Sequence, residues 1–206
     1  MINKIAAAAI LIMAFANAYA QEKNVQKKKF PIGVRAGYNL SNVTQIRSES
    51  RSSYYVGVFV PYRFAKWYGL QPEIGYSRQG AVVNKENYHY PAEGAPTMTY
   101  KLDYIGVALN NKVFVYKGLH LMVAPYADLL VHHNKLYIER TYTVKQKEHH
   151  DIGVIFGTGW EFDSGFGVEL RFKRGFTDIV YYPDYPYVIN SSISTSVAQL
   201  GITYKF

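Results

Sequence analysis

The chain has 206 residues, no cysteine, 20 tyrosines within an aromatic content of 16%, and a formal net charge of +8. The absence of cysteine excludes disulfides, a thiolate nucleophile, a lipid-modified N-terminal Cys and Cys-based metal sites, so backbone pairing and burial must hold the fold. A mean hydropathy of −0.14 argues against a helical membrane protein, yet not against a barrel, whose polar interior cancels its apolar exterior in any window average.

The N-terminus opens with a basic Lys4, an apolar run from Ile5 to Phe15, and Ala18-Tyr19-Ala20 before Gln21. This pattern reads as a secretory signal peptide over residues 1–20, cleaved after Ala20. The apolar run falls short of the ~20 residues that a membrane-spanning helix needs. Residues 21–29 carry Lys27-Lys28-Lys29 and no apolar period, the mark of a solvated periplasmic lead-in, and residues 30–206 read as one barrel domain.

From Phe30 to Asn42, Val34, Ala36, Tyr38 and Leu40 fall on one face, and Gly33, Arg35, Gly37, Asn39 and Ser41 on the other. Ser52 to Phe64 repeats the alternation with Val56, Val58 and Val60 against Tyr55, Gly57 and Phe59. A corner at Ala65-Lys66 leads into Trp67 to Gly80, where Leu70, Pro72, Ile74 and Tyr76 oppose Gln71, Glu73, Gly75 and Ser77. Thr99 to Val115 directs Ile105, Val107 and Leu109 outward, with Tyr104, Gly106, Ala108, Asn110 and Lys112 inward. Tyr116-Lys117-Gly118 forms a turn into Leu119 to His133, which carries Met122, Ala124, Tyr126 and Asp128 inside. His149 to Phe162 runs to the strong hairpin signal Asp163-Ser164-Gly165, and Phe166 to Thr177 returns with Val168, Leu170 and Phe172 over Glu169, Arg171 and Lys173. Ile193 to Phe206 closes the count, with Leu200, Ile202, Tyr204 and Phe206 directed at lipid and Gly201, Thr203 and Lys205 inward.

Three connections in this series are short. Four are long: Val43 to Arg51, Ala81 to Met98, Asn134 to Glu148 and Asp178 to Ser192. Such alternation is the mark of an outer-membrane barrel with periplasmic turns and extracellular loops, and an even strand count returns both termini to the periplasm. Aromatic residues stand where rims should be, Trp67 and Tyr68 at the lower edge and Tyr181 and Tyr182 near the upper one. A soluble barrel of lipocalin type would place its apolar residues inside. Here the face rich in glycine carries the charges and the other is almost free of them, an aggregation surface in water and a requirement in lipid. The expected fold is therefore all-β: an eight-stranded antiparallel up-and-down transmembrane β-barrel with a side-chain-filled lumen.

Several stretches resemble the PorT-like group of small outer-membrane β-barrel proteins, often described as the outer membrane protein beta-barrel domain. They are Gly33-Val34-Arg35-Ala36-Gly37-Tyr38-Asn39-Leu40-Ser41, Leu70 to Gly80, Lys101-Leu102-Asp103-Tyr104-Ile105, Ala124-Pro125-Tyr126, Asp151-Ile152-Gly153 and Arg174 to Ile179. The resemblance spans essentially the whole mature chain and implies an integral outer-membrane protein. One branch of the group is associated with secretion of surface proteins by the type IX machinery. Relatives commonly have Glu where this chain has Gly106, which removes a lumen carboxylate.

Four constellations could carry chemistry. Inward positions place Arg35, Arg63, Lys112, Arg171, Lys173 and Lys205 beside Glu73, Asp128, Glu161 and Glu169, a nearly balanced set. In a barrel just wide enough for side chains these groups should pair and plug the lumen rather than line an ion path. His132-His133 and His149-His150 root one loop, with His132 and His149 in the lumen register and His133 and His150 in the lipid register. They are weak metal candidates, since no fixed-spacing zinc motif accompanies them. A rim-site lipid enzyme could draw on Ser191, Ser192, His132, His133 and Asp151, but no Gly-x-Ser-x-Gly elbow is present, and the chain reads as a non-enzyme without a cofactor. Finally, Arg47, Arg51, Arg78, Lys85, Lys101, Lys135, Arg140, Lys145 and Lys147 sit at or beyond the outer rim, where lipid phosphates lie. The expected partners are outer-membrane lipids including lipopolysaccharide, the barrel-assembly machinery through Tyr204 and Phe206, and a secretion-machine or surface protein. An exported address excludes nucleic acid, and a monomer is expected.

Overall fold

In the computed structural model of the protein, residues 31–43, 48–83, 98–134, 136–138, 142–146, 148–178, 180–181 and 194–206 are described. The expected signal peptide and lead-in, Ser191 and Ser192, and, of the residues expected at the outer rim, Arg47, Lys85, Lys135, Arg140, Lys147 and Tyr182 lie outside the described residues.

Among the described residues every regular element is a strand: β1 (Gly33–Val43), β2 (Glu49–Phe59), β3 (Tyr62–Arg63), β4 (Tyr68–Val83), β5 (Met98–Tyr116), β6 (Leu119–His133), β7 (Leu136–Ile138), β8 (Tyr142–Gln146), β9 (His150–Glu161), β10 (Phe166–Gly175), β11 (Val180–Tyr181) and β12 (Thr195–Lys205). One sheet runs β2-β1-β12-β10-β9-β6-β5-β4-β3, and pairing of β2 with β4 closes it. Because β3 keeps the register of β2, with Phe59 opposite Glu73 and Tyr62 opposite Leu70, the two form one stave. Pro61 divides them, having no N–H to give to the ladder. The result is a closed antiparallel barrel of eight staves, with the first and last strands paired from Gly33↔Lys205 to Val43↔Thr195.

Closure follows from backbone chemistry, since in hydrocarbon every N–H and C=O must find a partner within the sheet. The end with the three short connections is tightly turned. Ala65 and Tyr68 exchange backbone bonds of 3.1 and 3.3 Å, and Lys117 adopts φ 46° in the two-residue turn. At the Asp163 hairpin, Phe162 N–H donates to Phe166 O at 2.8 Å while Gly165 takes φ 89°, the left-handed geometry that closes a three-residue loop. The chain terminus is tied at the same end, where Phe206 N–H donates to Ile32 O at 2.9 Å.

The outer face is apolar. Leu200 is 62% exposed and Ile202 61%, with Leu121, Val107, Leu170 and Ile152 in the same state. Each such side chain gains about 1.5–3 kcal/mol on leaving water, so this face is stable against lipid. Near the turn end it is edged by rings in contact, Phe166–Tyr204 at 4.8 Å, Tyr204–Phe206 at 5.1 Å and Tyr62–Phe64 at 4.4 Å.

Three expectations from sequence need correction. The first loop is shorter than the expected Val43 to Arg51, because β1 runs through Val43 and β2 starts at Glu49. Likewise β4 and β5 extend to Val83 and from Met98. The segments expected as open loops at 134–148 and 178–192 contain β7, β8 and β11, which form a separate three-stranded sheet, with Leu136 opposite Val144 and Val180 opposite Gln146. A bulge near Val131 reverses the expected histidine register: Tyr104 pairs with Leu130, but Asp103 pairs with His132 and Leu102 with His133. His133 therefore shares the inward side of buried Leu102, and His132 lies exposed on the outer side.

Glycines on the inner face make room for large neighbours. Tyr55 lies across Gly37 and Gly201, and a Cβ on Gly201 would collide with its hydroxyl. Gly201→Ala should therefore cost about 1–3 kcal/mol through overpacking. The penalty should shrink in a Tyr55→Ala background, read as the coupling between the two changes in urea unfolding of the vesicle-inserted barrel.

Candidate functional site

The strand alternation that sends apolar residues into lipid sends charged ones into a lumen with little water to solvate them. There most of them form one continuous chain. Starting near the turn end, Lys205 Nζ (β12) meets Glu161 Oε2 (β9) at 2.5 Å, and Glu161 Oε1 meets Lys112 Nζ (β5) at 3.0 Å. Lys112 also reaches Glu169 Oε1 (β10) at 2.9 Å, and Glu169 Oε2 lies 3.2 Å from Arg35 Nη2 (β1). Arg35 Nη1 contacts Glu73 Oε2 (β4) at 2.5 Å, and Glu73 Oε1 accepts from Arg171 Nη2 (β10) at 2.7 Å. The bonds tie together six staves that are far apart in sequence.

Above this chain, Lys173 Nζ pairs with Asp128 and stands 3.9 Å from the centre of the Tyr126 ring. Gln79 donates to Asp128 at 3.3 Å. Tyr126 Oη and Thr195 Oγ1 donate to Asp151 Oδ2 at 3.0 and 2.6 Å, and Asn110 donates to Glu73 at 2.7 Å. An unpaired ion buried here would cost several kcal/mol, and sharing each of Glu73, Glu161 and Glu169 between two cations offsets that cost. Between the two groups a cavity of ≈ 40 Å³ remains, bordered by Arg35, Glu73, Gly106, Tyr126, Asp128 and Lys173. Gly57, Gly75 and Gly106 lie opposite one another across three strands and leave that space open. It suits a water molecule and nothing larger. A Cβ at Gly106 would clash with the Asp128 carboxylate, so a Glu there would need Asp128 to move.

Nine of the ten charges marked from sequence take part in these contacts. Arg63 stands apart from the chain of ion pairs. It is exposed at the turn-end mouth, its guanidinium 3.6 Å from the centre of the Phe114 ring and donating to Lys66 O at 2.8 Å. Asp151 was legible as inward-facing but not as the acceptor for Tyr126 and Thr195. His120, fully buried with Nε2 3.8 Å from Glu169 and its ring 5.4 Å from Phe114, shares the inward parity of Met122 and could have been found by that signal.

The loop-root histidines are not gathered together. His150 faces outward opposite Leu129, with Nδ1 3.5 Å from Glu148. His133 Nδ1 is 3.4 Å from Asn134 O, and His149 supplies its carbonyl to Leu130 N–H at 2.7 Å. Among the described residues, no group of three or more His, Asp or Glu side chains is placed to hold a metal ion. Two of the residues a rim-site enzyme could have drawn on are divided by the barrel wall, since Asp151 is buried inside and His132 lies outside.

A closed eight-stranded sheet, apolar outside and charged within, defines an outer-membrane β-barrel protein. The chain belongs to the family described as outer membrane protein beta-barrel domain, whose profile matches residues 19–181. No curated protein matches it. Among solved structures it is similar to neisserial surface protein A, with a TM-score of 0.51 at 12% identity over 85% of this chain and 96% of that one. It is also similar to the outer membrane protein AlkL, with a TM-score of 0.50 at 8% identity over 90% and 94% of the two chains. A further likeness is to Ail of Yersinia pestis, with a TM-score of 0.45 at 11% identity over 85% and 98%, in a structure with the heparin analogue sucrose octasulfate. At these identities the likeness is one of fold.

Glu169→Gln removes a carboxylate shared by Lys112 and Arg35 and should lower stability by about 3–5 kcal/mol. Arg63→Ala should cost under about 1 kcal/mol. The urea midpoints of the two variants in lipid vesicles check this contrast.

Proposed function

We propose that the protein is a non-enzymatic, monomeric barrel whose lumen is plugged by its own ion pairs and whose loop-end segments carry its interactions outside the cell. The observation that supports a plug is the shared-carboxylate chain from Lys205 to Arg171, which crosses the lumen with the ≈ 40 Å³ cavity above it. In this reading the three short turns and the C-terminus face the periplasm, a leader over residues 1–20 is removed on export, and the β7-β8-β11 sheet stands outside. Tyr204 and Phe206, stacked edge to face beside the closing seam, act as the signal read by the assembly machinery.

Planar-bilayer recordings of the purified barrel should show no stable conductance, and a persistent open level would overturn the plug. Protease added to intact cells should cut within residues 134–148 while sparing the turn at Asp163; the reverse pattern would invert the topology. A pull-down with variants truncated in that loop identifies the partner. A deletion strain that retains surface proteins in its periplasm would replace this reading by an accessory role in secretion, the role implied by the PorT-like resemblance. Deleting Phe206 should reduce the heat-modifiable, membrane-inserted fraction several-fold in cells.

A further inference from the structure

The membrane-facing wall is not uniformly smooth. On the outside of β1, β2, β4 and β5 lies an open groove of ≈ 440 Å³, walled by Val34, Val56, Val58, Ile74, Tyr76 and Ile105 and floored by the bare backbone of Gly57 and Gly75. It is a shallow trough open along its outer side rather than an enclosed pocket. The groove exists because short β-branched side chains meet there, while the outward residues toward the loop end, Tyr38, Tyr54 and Tyr76, are long.

One step toward the loop end, the same wall becomes polar. Arg78 Nε binds Asp103 Oδ1 at 3.1 Å, and the guanidinium carbon lies 5.6 Å from the centre of the Tyr54 ring, itself 6.2 Å from that of Tyr76. Lys101, two residues from Asp103 on the same outward face of β5, is exposed. Arg51 reaches the carbonyl of Gln79 across an interruption in the β2–β4 ladder between Ser50 and Tyr55. Three cations and one carboxylate thus crown an apolar groove at its loop end.

We propose that this surface holds one phosphorylated lipid of the outer leaflet, the lipid A of lipopolysaccharide, with an acyl chain in the Val56–Ile74–Ile105 groove and a phosphate between Arg78 and Lys101. Asp103 orients Arg78 and neutralises one of the three cations, so the head site keeps an excess of positive charge that a zwitterionic headgroup cannot match. Tyr54 and Tyr76 supply hydroxyls and ring faces at the headgroup level. The inference rests on the loop end facing outward.

Its test is native mass spectrometry of the full barrel in detergent with bisphosphoryl lipid A, against a zwitterionic phospholipid of equal chain length and against inorganic phosphate. One lipid A should be retained in preference to the phospholipid, and millimolar phosphate should not remove it. Lys101→Gln removes an exposed cation without stranding Asp103 and should weaken retention about fivefold. Val56→Trp fills the groove and should weaken it comparably, with both variants still heat-modifiable on gels. Equal retention by wild type and both variants, or equal retention of the zwitterionic lipid, overturns the site; displacement by phosphate alone reduces it to a simple anion site and overturns the lipid. Because binding in detergent does not depend on orientation, failure here is separable from failure of the topology, which protease on intact cells reads.

Discussion

Everything in this structure depends on the need to satisfy backbone hydrogen bonds where no water is available. An open sheet would leave two strand edges unpaired in hydrocarbon, at several kcal/mol per group. The pairing of β1 with β12 over eleven residues and of β2 with β4 removes both edges. Where the β2–β4 ladder lapses between Ser50 and Tyr55, side chains take over. Asn39 donates to Tyr54 O and Arg78 O at 3.2 and 2.7 Å, Ser53 to Arg78 O at 2.7 Å, and Ser41 to Gly80 O at 3.0 Å. The inward Asn39 and Ser41 thus serve the backbone, which explains polar residues there that join no ion pair.

Closure at eight staves then fixes what the lumen can be. A barrel of this girth is just filled by side chains, and alternation places a large group over a small one at nearly every level. Tyr55 covers Gly37 and Gly201, Tyr126 covers Gly153, and His120 and Glu169 press on Gly159. Charge enters this packing as a filler that must be paired, so its arrangement is constrained by volume and by electrostatics at once.

The two faces were legible in the sequence because a period of two leaves little freedom: Val34 to Leu40 and Leu200 to Phe206 can face lipid in only one register. Turn chemistry was equally plain at Asp163-Ser164-Gly165. What could not be read were contacts that depend on which strands meet across the lumen. Glu73 lies between Arg35 and Arg171 because β1, β4 and β10 bring these side chains together across the lumen, which no local pattern encodes. The bulge at Val131 also left no mark, since Leu130-Val131-His132 continues the strand without Gly or Pro, and the parity of His132 and His133 was misread as a result. In the long connections, the short strands β7, β8 and β11 fall among residues with no sustained alternation, and the eye has no period to follow.

The chain of ion pairs bears on how the barrel enters a membrane. Arg35 sits on the first stave and Lys205 on the last, which pair with each other, and both reach carboxylates on the two staves that precede the last, Glu169 and Glu161. A sheet of only the first five staves would carry Lys112 and Asp128 into hydrocarbon without Glu161, Glu169 and Lys173, a cost that is offset only when the later staves arrive. Intermediates are thereby depopulated, and insertion becomes close to all-or-none, with the last strand completing the electrostatics as well as the hydrogen-bonded ring.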